Sequence, residues 1–341
     1  MTQSSPTKSD VTSIWWFAFG YFASYVPYSA LTKAASSGWL GDKIKISGNE
    51  LLPWSTLTSL IGMIVFMSAM GWWKYASRWT LFGRSLPRPG RLTFVSGVCT
   101  AAVIVTTTLA YTFEGISIVF MMLLMRGGVL VLAPLVDFVA KRHVRWFSWV
   151  GLLLSVGALI AAFLKDTGFN LTTVATIDVA VYLASYFVRL RFMSRLAKST
   201  DNDARLRFFV EEQMVATPVV AVVLGALALI DHGQFMHEIR LGYTSVFDLG
   251  LFVHVVLIGL FSQGTGVFGG LILLDRQENT YCVPVNRSSS ILAGVLATYS
   301  LAVIYSRPGP DSYELAGAGL IIAAILVLTI PSLFGKRNRA A

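Results

Sequence analysis

Residues 117–163 read SIVFMMLLMRGGVLVLAPLVDFVAKRHVRWFSWVGLLLSVGALIAAF. Two apolar runs flank a basic bridge, KRHVR at 141–145. Each run approaches the roughly 20 residues a helix needs to cross a hydrocarbon core of about 30 Å. Lipid offers the backbone no hydrogen-bonding partner, so such runs are helices. Outward from this stretch the pattern repeats, and spans are predicted at 14–35, 52–74, 92–112, 116–139, 145–164, 173–194, 206–230, 249–274, 279–304 and 313–333. Composition agrees: 55% hydrophobic and 13% charged residues, about half the charge of a soluble domain. The alternation of a membrane β-barrel is absent. The expectation is an all-α integral membrane protein with ten transmembrane helices.

A net charge of +9 could suit nucleic acid, but the basic residues cluster in short loops between spans, the pattern that sets membrane topology. No nucleic-acid partner is expected. The polar start and the loops after even-numbered spans hold Lys8, Lys74, Arg78, Arg84, Arg88, Arg91, Lys141, Arg142, Arg145, Arg189, Arg191, Arg195, Lys198, Arg205, Arg207, Arg276, Lys336, Arg337 and Arg339. The opposite loops hold Lys43, Lys45, Lys165, Arg240 and Arg307. The excess places both termini in the cytoplasm, with the first span retained as a helix. Short loops and termini point to a bacterial inner membrane, with a Golgi or organellar membrane as the open alternative. Lys33, Arg126 and Arg287 remain, all inside spans.

An internal repeat explains two of the three. Tyr21-Phe-Ala-Ser-Tyr25 meets Tyr182-Leu-Ala-Ser-Tyr186 at a separation of 161 residues, and at that separation Glu114 meets Asp275, Phe120 meets Tyr281 and Arg126 meets Arg287. Five spans per half is an odd number, so the halves insert in opposite senses: two inverted five-helix repeats, at 14–164 and 173–333, between cytoplasmic tails at 1–13 and 334–341. At 1.5 Å per residue, Arg126 and Arg287 lie roughly 12–15 Å from a surface, near mid-bilayer.

With ten spans, a five-plus-five duplication and stretches such as 117–163 and 279–331, the chain resembles the drug/metabolite transporter superfamily, which includes EamA-type exporters, triose-phosphate translocators and nucleotide-sugar transporters. The resemblance implies alternating access around a central cavity. It also implies phosphate contact by basic residues of the ninth span, where Arg287 stands in PVNRSSS at 284–290. FFVEEQM at 208–214 occupies the region that meets a nucleotide base in some members, with glutamates where neutral amides are usual there.

The site expected from the residues themselves combines these features. An arginine at the bilayer centre costs at least about 2.5–3.5 kcal/mol, so Arg126 and Arg287 are either an anion clamp for phosphate or carboxylate or are locked by a buried glutamate. Tyr21, Tyr25, Tyr182 and Tyr186 offer aromatic walls with polar tips. Glu211 and Glu212 open the seventh span, where they could hold an arginine until an anion arrives, carry a coupling proton, or oppose the helix dipole. Asp178 suits a vestibule or a loop pairing, Lys33 snorkels to the outer surface, and His254 fits a core. Cys99 and Cys282 read as small buried residues without disulfide or metal spacing. GTGVFG at 264–269 follows no strand, so it is a close-packing face rather than a dinucleotide loop. Pro27, Pro134, Pro218 and Pro284 are expected to kink their helices.

No nucleophile triad, Walker motif or metal cluster appears, so neither an enzyme nor a cofactor is expected. The leading function is a secondary transporter or exchanger of an organic anion, phosphorylated or nucleotide-linked, acting as a monomer or homodimer. Two alternatives stay open. One is a proton-coupled exporter of amino acids, drugs or a lipid-linked phosphate using Glu211 or Glu212. The other is a non-transporting membrane sensor or assembly subunit.

Overall fold

The computed structural model describes residues 8–40, 45–81, 84–113, 118–141, 144, 146–165, 173–197, 202–248, 250–307, 309–310 and 312–334. Glu114, Lys43 and the C-terminal tail's Lys336, Arg337 and Arg339 lie outside them.

In chain order the helices are α1 (Lys8–Ser36), α2 (Gly48–Ala69), α3 (Arg91–Ala110), α4 (Ile118–Val139), α5 (Trp146–Lys165) and α6 (Thr173–Leu196). They continue with α7 (Asn202–Ile230), α8 (Gly233–Leu241), α9 (Ser245–Asp248), α10 (Phe252–Leu273), α11 (Asn279–Tyr305) and α12 (Ser312–Phe334). Six of them, α2, α3, α6, α7, α10 and α11, contain windows long and apolar enough to cross a membrane. The chain is an all-α, multi-pass membrane protein.

Its polarity confirms that class. Phe138, Leu229 and Val303 are 83%, 88% and 80% exposed on outer helix faces, while Arg126, Arg189, Glu212 and Arg287 are buried. Water disfavours so many exposed large apolar side chains, whereas lipid accommodates them.

Three sequence expectations need correction. First, α1 begins at Lys8, inside the stretch read as a tail. Second, the span predicted to 74 stops at Ala69, because Gly71 takes a left-handed φ of 62° and a 3-10 turn, Trp72–Tyr75, follows. Behind it, Arg78–Leu81 (β1) pairs antiparallel with Arg84–Pro87 (β2), a hairpin that a charge-rich loop did not announce. Third, the loop at 231–248 folds into α8 and α9. With Gln234, His237, Glu238 and Arg240 around one buried Ile239, α8 is too polar and short to register as a span.

The helices pack in pairs: α1 on α10 and α11, α6 on α3 and α4, α2 on α10 and α7, α3 on α7, α4 on α11 and α5 on α12. Close approach depends on α10 glycines. A Cβ on Gly264 would sit 2.6 Å from Ser24 Oγ, and one on Gly269 2.8 Å from the Tyr21 ring. The GTGVFG segment is thus the face of α10 that α1 presses against. Element ends keep the sequence separation: α3 and α10 begin at 91 and 252, α4 and α11 at 118 and 279, and α2 and α7 end at 69 and 230, each 161 apart.

α11 is anchored from α4. Asp137, fully buried, accepts from the backbone amides of Asn279 (3.1 Å) and Thr280 (2.7 Å), from Asn279 Nδ2 (2.7 Å) and from the Thr280 hydroxyl (2.7 Å). A carboxylate there satisfies amides that a helix start leaves open and opposes its dipole.

Candidate functional site

Tyr21, Tyr25 and Tyr28 recur at i, i+4 and i+7 along α1, so they share one face. Tyr25 packs edge-on against Tyr21 at 5.1 Å and Tyr28 at 5.6 Å between ring centroids. On α6, Tyr182, Tyr186 and Arg189 follow the same spacing, with the two rings 4.7 Å apart. Tyr111, just past the end of α3, closes the tyrosine group: its hydroxyl lies 2.6 Å from that of Tyr25, while Tyr28 reaches Thr108 at 2.9 Å.

Both central arginines project into this group. From α4, Arg126 donates Nη1 to the Tyr182 hydroxyl and Nη2 to that of Tyr25, and it also reaches Tyr111 at 3.5 Å. From α11, Arg287 donates Nη1 to the Tyr182 hydroxyl at 3.0 Å, and its guanidinium lies 4.4 Å from the centre of the Tyr186 ring. One tyrosine oxygen is thus shared by two cations. Arg126 Nε and Arg287 Nε and Nη2 are buried without a partner. Among the described residues neither arginine meets a carboxylate, so the expected alternative of a glutamate lock is not what surrounds them. Neutral hydroxyls and ring faces soften the cost of burying guanidinium, but leave its charge uncompensated.

The glutamates do other work. Glu211 accepts from the Ser77 amide (3.1 Å), the Gly90 amide (2.8 Å) and the Thr93 hydroxyl (2.6 Å), tying the hairpin's flanks to α7. Glu212, fully buried, accepts from Arg189 Nε at 2.9 Å, Arg189 Nη2 at 2.6 Å and Ser96 at 2.6 Å. Neither holds a central arginine. Arg189, counted above among loop cations, is instead a buried helix residue. Positive-inside counting missed it because it sits near a span's end; its register with Tyr182 and Tyr186 was the available signal.

A cavity opens between these helices. Its wall includes Tyr21, Tyr25, Tyr28, Arg126, Tyr186 and Arg189, with Gln213, Gln263, Asn286 and several Ser and Thr residues. Tyr182, Arg287, Glu211 and Glu212 are not on it; Arg287 lies against Tyr186, which is. The α10 glycines Gly266, Gly269 and Gly270 make room for the cavity. Gln263 Nε2 and Asn286 Oδ1 are buried polar atoms without partners.

The remaining candidates fall outside this centre. Asp178 is buried with Oδ2 unpartnered and is off the cavity wall. Lys33 donates to the Phe113 carbonyl at 3.3 Å. His254 has its Nδ1 buried without a partner. Cys99 and Cys282 form no disulfide among the described residues, and Cys282 is buried. No group of three metal-ligating side chains occurs among the described residues.

No family model matches the chain, and no curated protein matches it in sequence. In fold, a solved structure described only as "Crystal structure of protein" is similar at a TM-score of 0.52 and 15% identity, over 92% of this chain and 98% of that one. At that identity the likeness speaks for the fold alone. Fold and site together define a multi-pass helical membrane protein with a polar, arginine-bearing centre.

Proposed function

We propose that this protein is a secondary transporter or exchanger of an organic anion, phosphorylated or nucleotide-linked, working by alternating access around the central cavity. The observation that carries the reading is that Arg126 and Arg287, both buried, meet only tyrosine hydroxyls and rings among the described residues. An uncompensated charge of this kind is costly. A ligand anion supplies the missing counter-charge and accepts from the unsatisfied N–H groups. With Arg287 beside Tyr186 rather than on the wall, reaching it requires that ring to move, as a change of access would provide.

Architecture supports the same reading. In this reading the ten long helices all cross the bilayer as two inverted five-helix repeats, with both termini cytoplasmic in a bacterial inner membrane, as in the drug/metabolite transporter superfamily. Support comes from the shared 161-residue separation of helix ends. It comes also from packing that exchanges under that shift: α1 on α10 answers α6 on α3, α1 on α11 answers α6 on α4, and α2 on α10 answers α7 on α3. A proton-coupled exporter built on Glu211 or Glu212 is less well supported, since one is taken up by loop amides and the other by Arg189. A sensor with a plugged centre would want acids on Arg126 and Arg287.

The test is transport by purified protein in liposomes, loaded in turn with sugar phosphates, nucleotides and nucleotide sugars. Arg126→Ala and Arg287→Ala are each expected to lower uptake about tenfold or more, the worth of one lost charge-assisted hydrogen bond, with the fold retained by circular dichroism. Full transport in both variants would rule the clamp out.

A further inference from the structure

Among the described residues, Arg189 is the one cation of the centre whose orientation is set by a carboxylate, and three features make that arrangement a site rather than a sealed ion pair. The first is sidedness. Glu212 takes Nε and Nη2 of Arg189 (2.9 and 2.6 Å) and is itself off the cavity wall, whereas Arg189 is on it. The second is the free edge. Arg189 lies on the cavity wall, and its Nη1 makes no hydrogen bond to the described residues. The third is support. Ser96 donates to Glu212 Oε1 at 2.6 Å, and the Tyr186 ring lies 5.9 Å from the Arg189 guanidinium carbon and 4.4 Å from that of Arg287. An arginine fixed from behind presents its remaining N–H groups without first losing side-chain freedom, which is what preorganisation means for a binding group.

The repeat sharpens the point. Shifted by 161 residues, Tyr182 corresponds to Tyr21 and Tyr186 to Tyr25, but Arg189 corresponds to Tyr28 and Glu212 to Leu51. Tyr28 and Arg189 both line the cavity. One arm of the cavity is therefore finished with a neutral hydroxyl bonded to Thr108 and the other with a guanidinium.

We infer that Arg189 is a second anion subsite, separate from the Arg126–Arg287 centre, and that the ligand carries two anionic groups on one molecule, one for each. Glu212 is a positioning residue for Arg189 and does not touch the ligand. This inference rests on the anion-binding reading above and adds a second attachment point to it.

Ligand-induced thermal shift and calorimetry on the detergent-solubilised full chain test it, with probes paired by charge count: phosphonoacetate against ethylphosphonate, and glutarate and adipate against pentanoate and hexanoate. The wild type is expected to bind the two-headed member of at least one pair about tenfold or more tightly, the scale of one added charge-assisted hydrogen bond. Because Arg189→Gln alone leaves Glu212 buried and unpaired, the comparison variant is Arg189→Gln with Glu212→Gln. In it the ratio between two-headed and one-headed probes is expected to fall to about one. A ratio that persists in the double variant, or is absent in the wild type while one-headed anions still bind, overturns the second subsite and leaves the central clamp standing. If no anion of either kind binds the folded wild type, the central clamp fails and this inference fails with it.

Discussion

At the scale of the residue, this protein separates charges that a sequence places side by side. Glu211 and Glu212 are neighbours on α7, yet one reaches the amides of Ser77 and Gly90 and the other meets Arg189 across the bundle. About 100° of helical rotation separates their directions. The Arg189–Glu212 pair is buried on both sides, where removing one partner leaves an unpaired charge in a medium that solvates it poorly. Glu212→Ala is therefore expected to lower stability by about 3–5 kcal/mol. Arg189→Met with Glu212→Leu should recover most of that loss, because no charge is then stranded. Thermal unfolding of the detergent-solubilised variants checks both, and a single variant as stable as wild type would contradict the pairing.

At the scale of the element, α8 is pinned to the start of α2 by one carboxylate. Glu238 accepts from Asn49 Nδ2 (2.8 Å), Ser47 Oγ (3.0 Å) and Gln234 Nε2 (3.0 Å). Partial burial works to raise its pKa, but hydrogen bonds from Asn49, Ser47 and Gln234 outweigh it and hold the carboxyl below its ordinary value. The sign follows from proton linkage. A carboxyl more acidic in the folded state contributes stability above its unfolded pKa, near 4.5, and that contribution is lost as pH falls through the lowered folded value. Protection of the α8 amides, their exchange corrected for its intrinsic pH dependence, is expected to fall below about pH 4.5 and Glu238→Gln to flatten that dependence; unchanged protection through the range would refute it. The hairpin and α8 were illegible in sequence for one reason. Both are short and polar, so hydropathy passes over them, and what orders them are partners far along the chain such as Glu211 and Ser47.

At the scale of the whole molecule, the proposed inverted topology makes a claim that labelling can check. In a cysteine-free background, single cysteines at Arg88 just after the hairpin and at Arg307 after α11 should react with a membrane-impermeant thiol reagent from opposite sides. Arg88 should be reached from the cytoplasm. Labelling of both from one side would overturn the five-plus-five arrangement while leaving the membrane class intact.

The membrane class, the helix-forming runs, the 161-residue separation and the candidacy of Arg126, Arg287 and the four paired tyrosines were all available from the sequence, because burial in lipid and periodicity along one chain are local properties. What only the tertiary structure decided is who meets whom. Tyr182 bridges two arginines from two other helices, Tyr111 joins from the end of α3, and Arg189 leaves the count of loop cations to face a cavity with Glu212 behind it. Such pairings depend on the rotation and approach of helices far apart in sequence. Residues of the same type and periodicity could face a lipid, a partner or an empty space, and packing alone selects among them.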